Sequence, residues 1–127
     1  MLNFFIFFIV GGAFYCLIEI IWSGKTHPSM FIAGGLCFIL INAIDSAFNI
    51  IIGTFGVCLL CGVMIASVEY TAGCLINKKL GMKVWDYSGF RFNAAGQVCL
   101  RYTVYWCLLS YPASVFAAIL RGALENL

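Results

Sequence analysis

Four ionisable residues lie inside or at the edge of long hydrophobic segments, and they are the residues that could do chemistry within a membrane. They are Glu19, Asp45, Glu69 and Arg101. Placing one charge at the bilayer centre costs about 2.5–3.5 kcal/mol on insertion scales, so such residues usually face a partner or a cavity. Their chemistry would be charge pairing, proton exchange or the binding of a cation.

The composition requires a membrane around these residues. Of the 127 residues, 64% are hydrophobic and 9% are charged, whereas a soluble domain carries about 25% charged residues. Four apolar stretches near the length of a bilayer crossing account for the excess. We expect an all-α polytopic integral membrane protein with a single membrane domain over residues 1–127. Its four-transmembrane-helix bundle would have helices at about 2–22, 30–48, 51–76 and 97–120.

The end of the predicted second helix carries a polar face. Asn42, Asp45 and Asn49 follow an i, i+3, i+7 spacing, which places them on one side of a helix. The chain must also turn towards the third helix in this region. We therefore expect the bend between residues 45 and 53.

The only sizeable polar stretch is residues 78–96, between the predicted third and fourth helices. Its basic and aromatic residues alternate, which is typical of an interfacial or re-entrant turn with rings at the headgroup level and cations towards anionic lipid. A simple anchoring belt would have the same composition. The lipid-facing basic residues would be Lys78, Lys79, Lys83 and Arg91.

The basic residues also predict the orientation. With four crossings, the connections after helices one and three share a side and hold five basic residues, Lys25 among them, against Arg121 alone on the other side. The positive-inside rule then places these connections in the cytoplasm and both termini outside. Glu19, Glu69 and Arg101 would all lie in the cytoplasmic half of the membrane at a similar depth.

The helix faces favour a shared site for these three residues. Glu69 lies on a stripe of small residues with Gly62, Ala66 and Gly73, and small residues let helices approach closely in lipid. We expect Glu19, Glu69 and Arg101 to converge on one intramembrane polar site. Two acids against one arginine leave a surplus carboxyl group, which favours transport. Alternatively, Arg101 only neutralises one acid and locks the bundle.

Several classes of function are excluded or disfavoured by the sequence. There is no G-x-x-x-x-G-K-[ST] loop, so ATP would have to be hydrolysed by another polypeptide. A net charge of +2 is too small to indicate a nucleic-acid-binding surface. The sequence has no nucleophile–base pair placed for catalysis and no H-E-x-x-H motif, so nothing in it predicts an enzyme. Cys58-x-x-Cys61 has the spacing of a metal or redox pair but lacks a second pair of metal ligands. We expect no catalytic residue, no metal and no cofactor.

Two blocks of sequence point to a family. Residues 67–70 read Ser-Val-Glu-Tyr; after a basic spacer, residues 85–88 read Trp-Asp-Tyr-Ser, and an Asn-x-x-Gly follows at 93–96. Over about residues 12–108 this pattern resembles the bacterial ABC-transporter type IV (CmpB-like) permease family. Besides Glu19 and Glu69, the resemblance implies that the motif residues here are Tyr70, Trp85, Asp86, Tyr87, Ser88, Asn93 and Gly96.

The resemblance implies a multi-pass transporter subunit of the bacterial cytoplasmic (inner) membrane, with its ATPase on a separate chain. We expect a permease-like subunit whose polar site is closed from the cytoplasm by residues 85–96. Four helices are few to enclose an aqueous path within one chain, so we expect a homo-oligomer or a complex with another transporter subunit. The protein would also contact membrane lipids. The alternative is a non-transporting membrane module that binds lipid or a partner protein.

Overall fold

The computed structural model describes residues 2–81 and 84–127. Its described part contains three helices: α1 (Leu2–Ser23), α2 (Pro28–Gly73) and α3 (Leu100–Glu125). A π-helical turn, Cys74–Lys79, extends α2, and a two-stranded antiparallel pair, β1 (Asn93–Ala94) and β2 (Val98–Cys99), precedes α3. All three helices are long and apolar enough to cross a bilayer. The all-helical membrane fold is therefore confirmed.

The predicted count of four helices is not supported. The segments expected at 30–48 and 51–76 fall in one 46-residue element, α2, and the π-helical turn that extends it. At 1.5 Å per residue a straight helix of this length would extend about 69 Å, more than twice the hydrocarbon thickness of about 30 Å. A straight α2 therefore does not fit a bilayer, and its course depends on an internal break.

The break lies at Gly53. Its backbone angles, φ 72° and ψ 176°, fall in a region that is essentially open to glycine alone. Residues from both sides of the break pack in the same core cluster, Phe38 and Ile41 from the first half (28–52) with Cys61 and Ile65 from the second half (54–73). The chain therefore reverses at Gly53, within the range expected for a bend.

Glycines allow the helices to approach closely. A Cβ on Gly11 of α1 would lie 2.8 Å from the carbonyl oxygen of Gly34 in α2, and a Cβ on Gly62 would lie 2.9 Å from the Cα of Cys107 in α3. Such contacts are typical of helix packing in lipid, where small residues replace a hydrophobic driving force. The core lies between the three helices and contains Phe7, Cys37, Phe38, Ile41, Val57, Cys61, Ile65 and Ala117.

The predicted re-entrant turn between the last two helices is not supported either. Residues 84–99, here named the cap segment, form turns and the β1–β2 pair and fold against the end of α2 and the start of α3. Side chains of the cap segment bond to residues of these helices, which holds the segment at the helix ends. Lys78, Lys79 and Arg91 are exposed there, and Lys83 lies outside the described residues.

Replacing Gly53 by alanine should destabilise the fold. The Cβ would meet a backbone conformation that costs about 1–3 kcal/mol for a non-glycine residue, and we expect the free energy of unfolding in bicelles to fall by that amount. Gly122→Ala is the matched control, since Gly122 lies in α3 with open space around its Cα. Equal stability of the two variants would contradict a reversal that depends on Gly53.

Candidate functional site

Glu69 is the buried acid of the candidate site. Its side chain lies in the second half of α2 and the residue is only 7% exposed. The Tyr87 hydroxyl donates to Oε1 at 2.9 Å, and the Trp106 indole Nε1–H donates to Oε2 at 3.2 Å. One carboxyl group thus joins α2, the cap segment and α3.

The small-residue stripe of α2 explains why Glu69 points into the bundle. Gly62 packs against Cys107 of α3, and Gly73 packs against Gln97 just before α3. Glu69 lies between these two contacts on the same helical face. Because both contacts bring α3 close, the carboxyl group comes within hydrogen-bond reach of the Trp106 indole.

Two buried amides hold the cap segment in place. Asn77, in the π-helical turn, accepts the Val84 N–H on Oδ1 at 2.6 Å and donates from Nδ2 to Gln97 Oε1 at 2.8 Å. The Trp85 indole donates to the main-chain oxygen of Gln97 at 2.9 Å. Asn77 and Gln97 are 8% and 5% exposed. Since a buried amide is costly unless bonded, these contacts fix where the segment begins and ends.

The remaining motif residues shape the turn that carries Tyr87. Asp86 Oδ1 accepts the Ser88 N–H at 2.9 Å, and Asn93 Oδ1 accepts the Gly96 N–H at 2.9 Å. Gly96 has φ +73° and accepts the Tyr87 N–H on its carbonyl oxygen at 2.7 Å. This network places the Tyr87 backbone, so most of the motif acts by positioning one hydroxyl group.

The Tyr87 side chain is fixed as a donor. Its ring stacks on Tyr102 of α3 with centroids 5.0 Å apart and planes 14° apart. Burial, and then the neighbouring Glu69 carboxyl group, raise the pKa of Tyr87 well above its usual value. The hydroxyl therefore stays protonated and donates a hydrogen bond to Glu69. Tyr70, next to Glu69 in the sequence, is 41% exposed.

The predicted convergence of three charges is wrong for Arg101. This residue is exposed at the start of α3, where its Nε donates to the Tyr105 hydroxyl at 3.1 Å and its guanidinium lies 5.8 Å from the centre of the Phe90 ring. An exposed guanidinium keeps its hydration and contacts aromatic faces at little cost. Glu19 is half-buried on α1 and its main-chain oxygen accepts the Ser23 hydroxyl at 3.0 Å. Within the described chain, no Lys, Arg or His forms an ion pair with Glu69.

A second polar cluster lies near the Gly53 reversal. Asp45 forms an ion pair with Arg121 at 3.2 Å and accepts the Asn49 amide at 2.9 Å, while Arg121 also donates to Asn42. The sequence predicted the polar face of Asn42, Asp45 and Asn49, but it did not predict that Arg121 would be its cationic partner. Both Asp45 and Arg121 come late in helices expected to end on the same side, and that shared depth was the available signal. Trp106, Asn77 and Gln97 were also missed.

Across residues 2–81 and 84–127, no group of three or more His, Cys, Asp or Glu could hold an ion. What the site offers is an acceptor: each Glu69 oxygen receives one hydrogen bond and retains a further lone pair. The arrangement can therefore bind a proton or a cationic donor.

Replacing Tyr87 by phenylalanine should loosen the cap segment. It removes one hydrogen bond to a carboxyl group, worth about 1.5–3 kcal/mol, so amide exchange over residues 84–99 should accelerate at least about tenfold. Exchange mass spectrometry in nanodiscs measures this directly. Tyr111→Phe is the control, since Tyr111 is 56% exposed on α3; unchanged exchange in Tyr87→Phe would refute the anchoring role.

Replacing Arg121 by glutamine should destabilise the bundle through the other cluster. It leaves the buried Asp45 without its cation, and breaking such a pair costs up to about 3–5 kcal/mol, less here because Arg121 is partly exposed. Adding Asp45→Asn should restore most of the free energy of unfolding. Strictly additive effects of the two changes would show that the pair is not coupled, and Arg91→Gln on the exposed cap segment controls for net charge.

Comparison with known proteins gives one match. No curated protein and no solved structure matches the chain. A family model described as Putative ABC-transporter type IV matches residues 2–125, which include the three helices and the cap segment. The chain therefore belongs to the Putative ABC-transporter type IV family, as its Glu-Tyr and Trp-Asp-Tyr-Ser blocks predicted.

Proposed function

We propose that this chain is a permease-like membrane subunit of an ATP-driven bacterial transporter, and that it is not itself an enzyme. Glu69 is the polar group on its transport path, and the cap segment closes that path at one end. The observation that carries the proposal is a buried acid whose bonding partners among residues 2–81 and 84–127 are neutral donors, Tyr87 from the cap segment and Trp106 from α3. Family membership supports the transporter class.

The two buried acids of the bundle support different roles. Asp45 has a cation, Arg121, which is the arrangement expected of a structural pair. Glu69 has hydroxyl and indole donors instead. A carboxyl group without a basic partner among the described residues keeps acceptor positions for a guest. Glu69 is therefore the better candidate for a group that binds and releases something.

We further propose that the two halves of α2 cross the membrane separately, which gives four crossings in total. Met30, at the start of α2, lines the same small space as Glu69 and Trp85, so the α1–α2 connection and the cap segment share one end of the bundle. Lys25, Lys78, Lys79 and Arg91 are exposed at this end. The positive-inside rule favours placing it in the cytoplasm, with both termini outside.

The energy source would be a separate polypeptide. The sequence has no P-loop, so ATP hydrolysis requires an ATPase subunit bound to this chain. Four crossings are also few to enclose a transport path within one chain, so a homo-oligomer or a second membrane subunit would complete the path. The exposed cap end is the surface expected to face a cytoplasmic ATPase.

The replacement Glu69→Gln should abolish transport and leave the protein folded. A strain lacking the gene is complemented with wild type, Glu69→Gln or the control Glu125→Gln, which lies exposed at the end of α3. Inside-out and right-side-out vesicles receive the strain's own small-molecule extract with and without ATP, and mass spectrometry identifies solutes that accumulate. Wild type and Glu125→Gln should share at least one ATP-dependent solute that Glu69→Gln lacks.

The outcome is interpretable only if the variant assembles normally. Native mass spectrometry of each variant in nanodiscs reports the attached subunits and the oligomeric state. A folded, normally assembled Glu69→Gln variant that accumulates every wild-type solute would refute the proposal. Absence of any wild-type-dependent solute, with retained binding of anionic vesicles through Lys78 and Lys79, would instead support the non-transporting lipid-binding module.

A further inference from the structure

An apolar cavity lies between α1, α2 and α3. Its volume is about 380 Å³, which is within the range of small-molecule sites, about 300–1,000 Å³. Both halves of α2 contribute to its wall, the second half through Ile65. Residues that line it include Tyr15, Cys37, Phe38, Ile65, Trp106 and Phe116.

The cavity opens towards the side of the bundle that would face lipid. Phe14 and Ile18 of α1 and Leu109 of α3 line it, and they are 50%, 38% and 36% exposed. In a membrane these exposed side chains contact acyl chains. A molecule can therefore enter laterally from the bilayer, which requires that its body be apolar.

The same cavity adjoins the Glu69 carboxyl group. Tyr15, Cys37 and Ile65 line both the cavity and the small space next to Glu69. Trp106 forms part of the cavity wall while its indole N–H bonds to Glu69. Its ring stacks on Tyr15 with centroids 5.6 Å apart. An aromatic pair thus lies where the apolar space meets the acid.

We propose that this composite site binds an amphipathic cation, a lipophilic amine whose apolar body fills the cavity and whose ammonium group lies at Glu69. This inference rests on the proposed function and names its substrate class. Charge complementarity selects the cation, because Glu69 has no basic partner within the described chain and its oxygens retain acceptor positions. The faces of Tyr15 and Trp106 add cation–π attraction. A neutral acyl chain would fill the cavity without using the acid.

Photolabelling tests the proposal. The full chain in phosphatidylcholine nanodiscs is exposed to a dodecylamine that carries a diazirine and an alkyne, and separately to the matching dodecanol. Peptides that carry the label are identified by mass spectrometry. The variants are Glu69→Gln and the cavity-filling Ala113→Phe. Their controls are Glu125→Gln and Val115→Phe, the latter on the exposed side of α3.

The amine should label peptides of α1 and α3 that line the cavity, and unlabelled dodecylamine should compete. Glu69→Gln and Ala113→Phe should each lower this labelling at least about tenfold, since the ammonium or the apolar body loses its place. The two control variants should label as wild type does. Dodecanol should label weakly and equally in wild type and Glu69→Gln.

Equal labelling by both probes, unaffected by Glu69→Gln, would identify the cavity as a crevice for lipid tails and overturn the proposal. Absence of specific labelling would overturn it too. The experiment needs neither ATP nor a partner subunit, so its failure is separable from that of the proposed function. If Glu69→Gln loses solute transport but the wild type is not labelled by the amine, only this inference is refuted. If the amine labels the wild type as expected but Glu69→Gln transports normally, the proposed transport role of Glu69 is refuted.

Discussion

The structure depends on the burial of one carboxyl group inside an apolar helical bundle. Glu69 can lie there only if donors reach it, because a buried polar group without a partner is costly in a membrane. Trp106 reaches it because α3 packs closely on the small-residue face of α2, and Tyr87 reaches it because Asn77 and Gln97 fix the cap segment. The reversal at Gly53 supplies the remaining wall, since it returns the second half of α2 to the first.

The two ends of the bundle differ in how their acids are satisfied. Near Gly53, Asp45 and Arg121 form an ion pair with two asparagines beside it, so charge is neutralised within the protein. At the cap end, Glu69 is held by neutral donors and adjoins an apolar cavity. The first arrangement holds helices together. The second leaves a carboxyl group with acceptor positions available to a guest, which is why the functional proposals centre on Glu69.

Much of this was predictable from sequence, for identifiable physical reasons. Apolar length and scarce charge predicted membrane helices, and the spacing of small residues placed Glu69 on a packed face. Arg101 was misassigned because a side chain at a helix start can point along the helix to Tyr105 and the cap segment, and only the path of that segment decides this. The bend was expected between residues 45 and 53, but periodicity could not place it at Gly53, because the break depends on the backbone conformation of that one residue.

The burial of Glu69 with Trp106 as its donor is tested most simply by a nuclear magnetic resonance spectrum of the indole N–H groups. The spectrum is recorded in nanodiscs on protein with ¹⁵N-labelled tryptophan. The chain has three tryptophans, so the spectrum is simple to assign by substitution. We expect Glu69→Gln to shift the Trp106 indole resonance strongly and to speed the exchange of its N–H with water, while the resonance of the exposed Trp22 stays unchanged. A Trp106 resonance that does not change in Glu69→Gln would show that the Trp106 indole does not bond to Glu69.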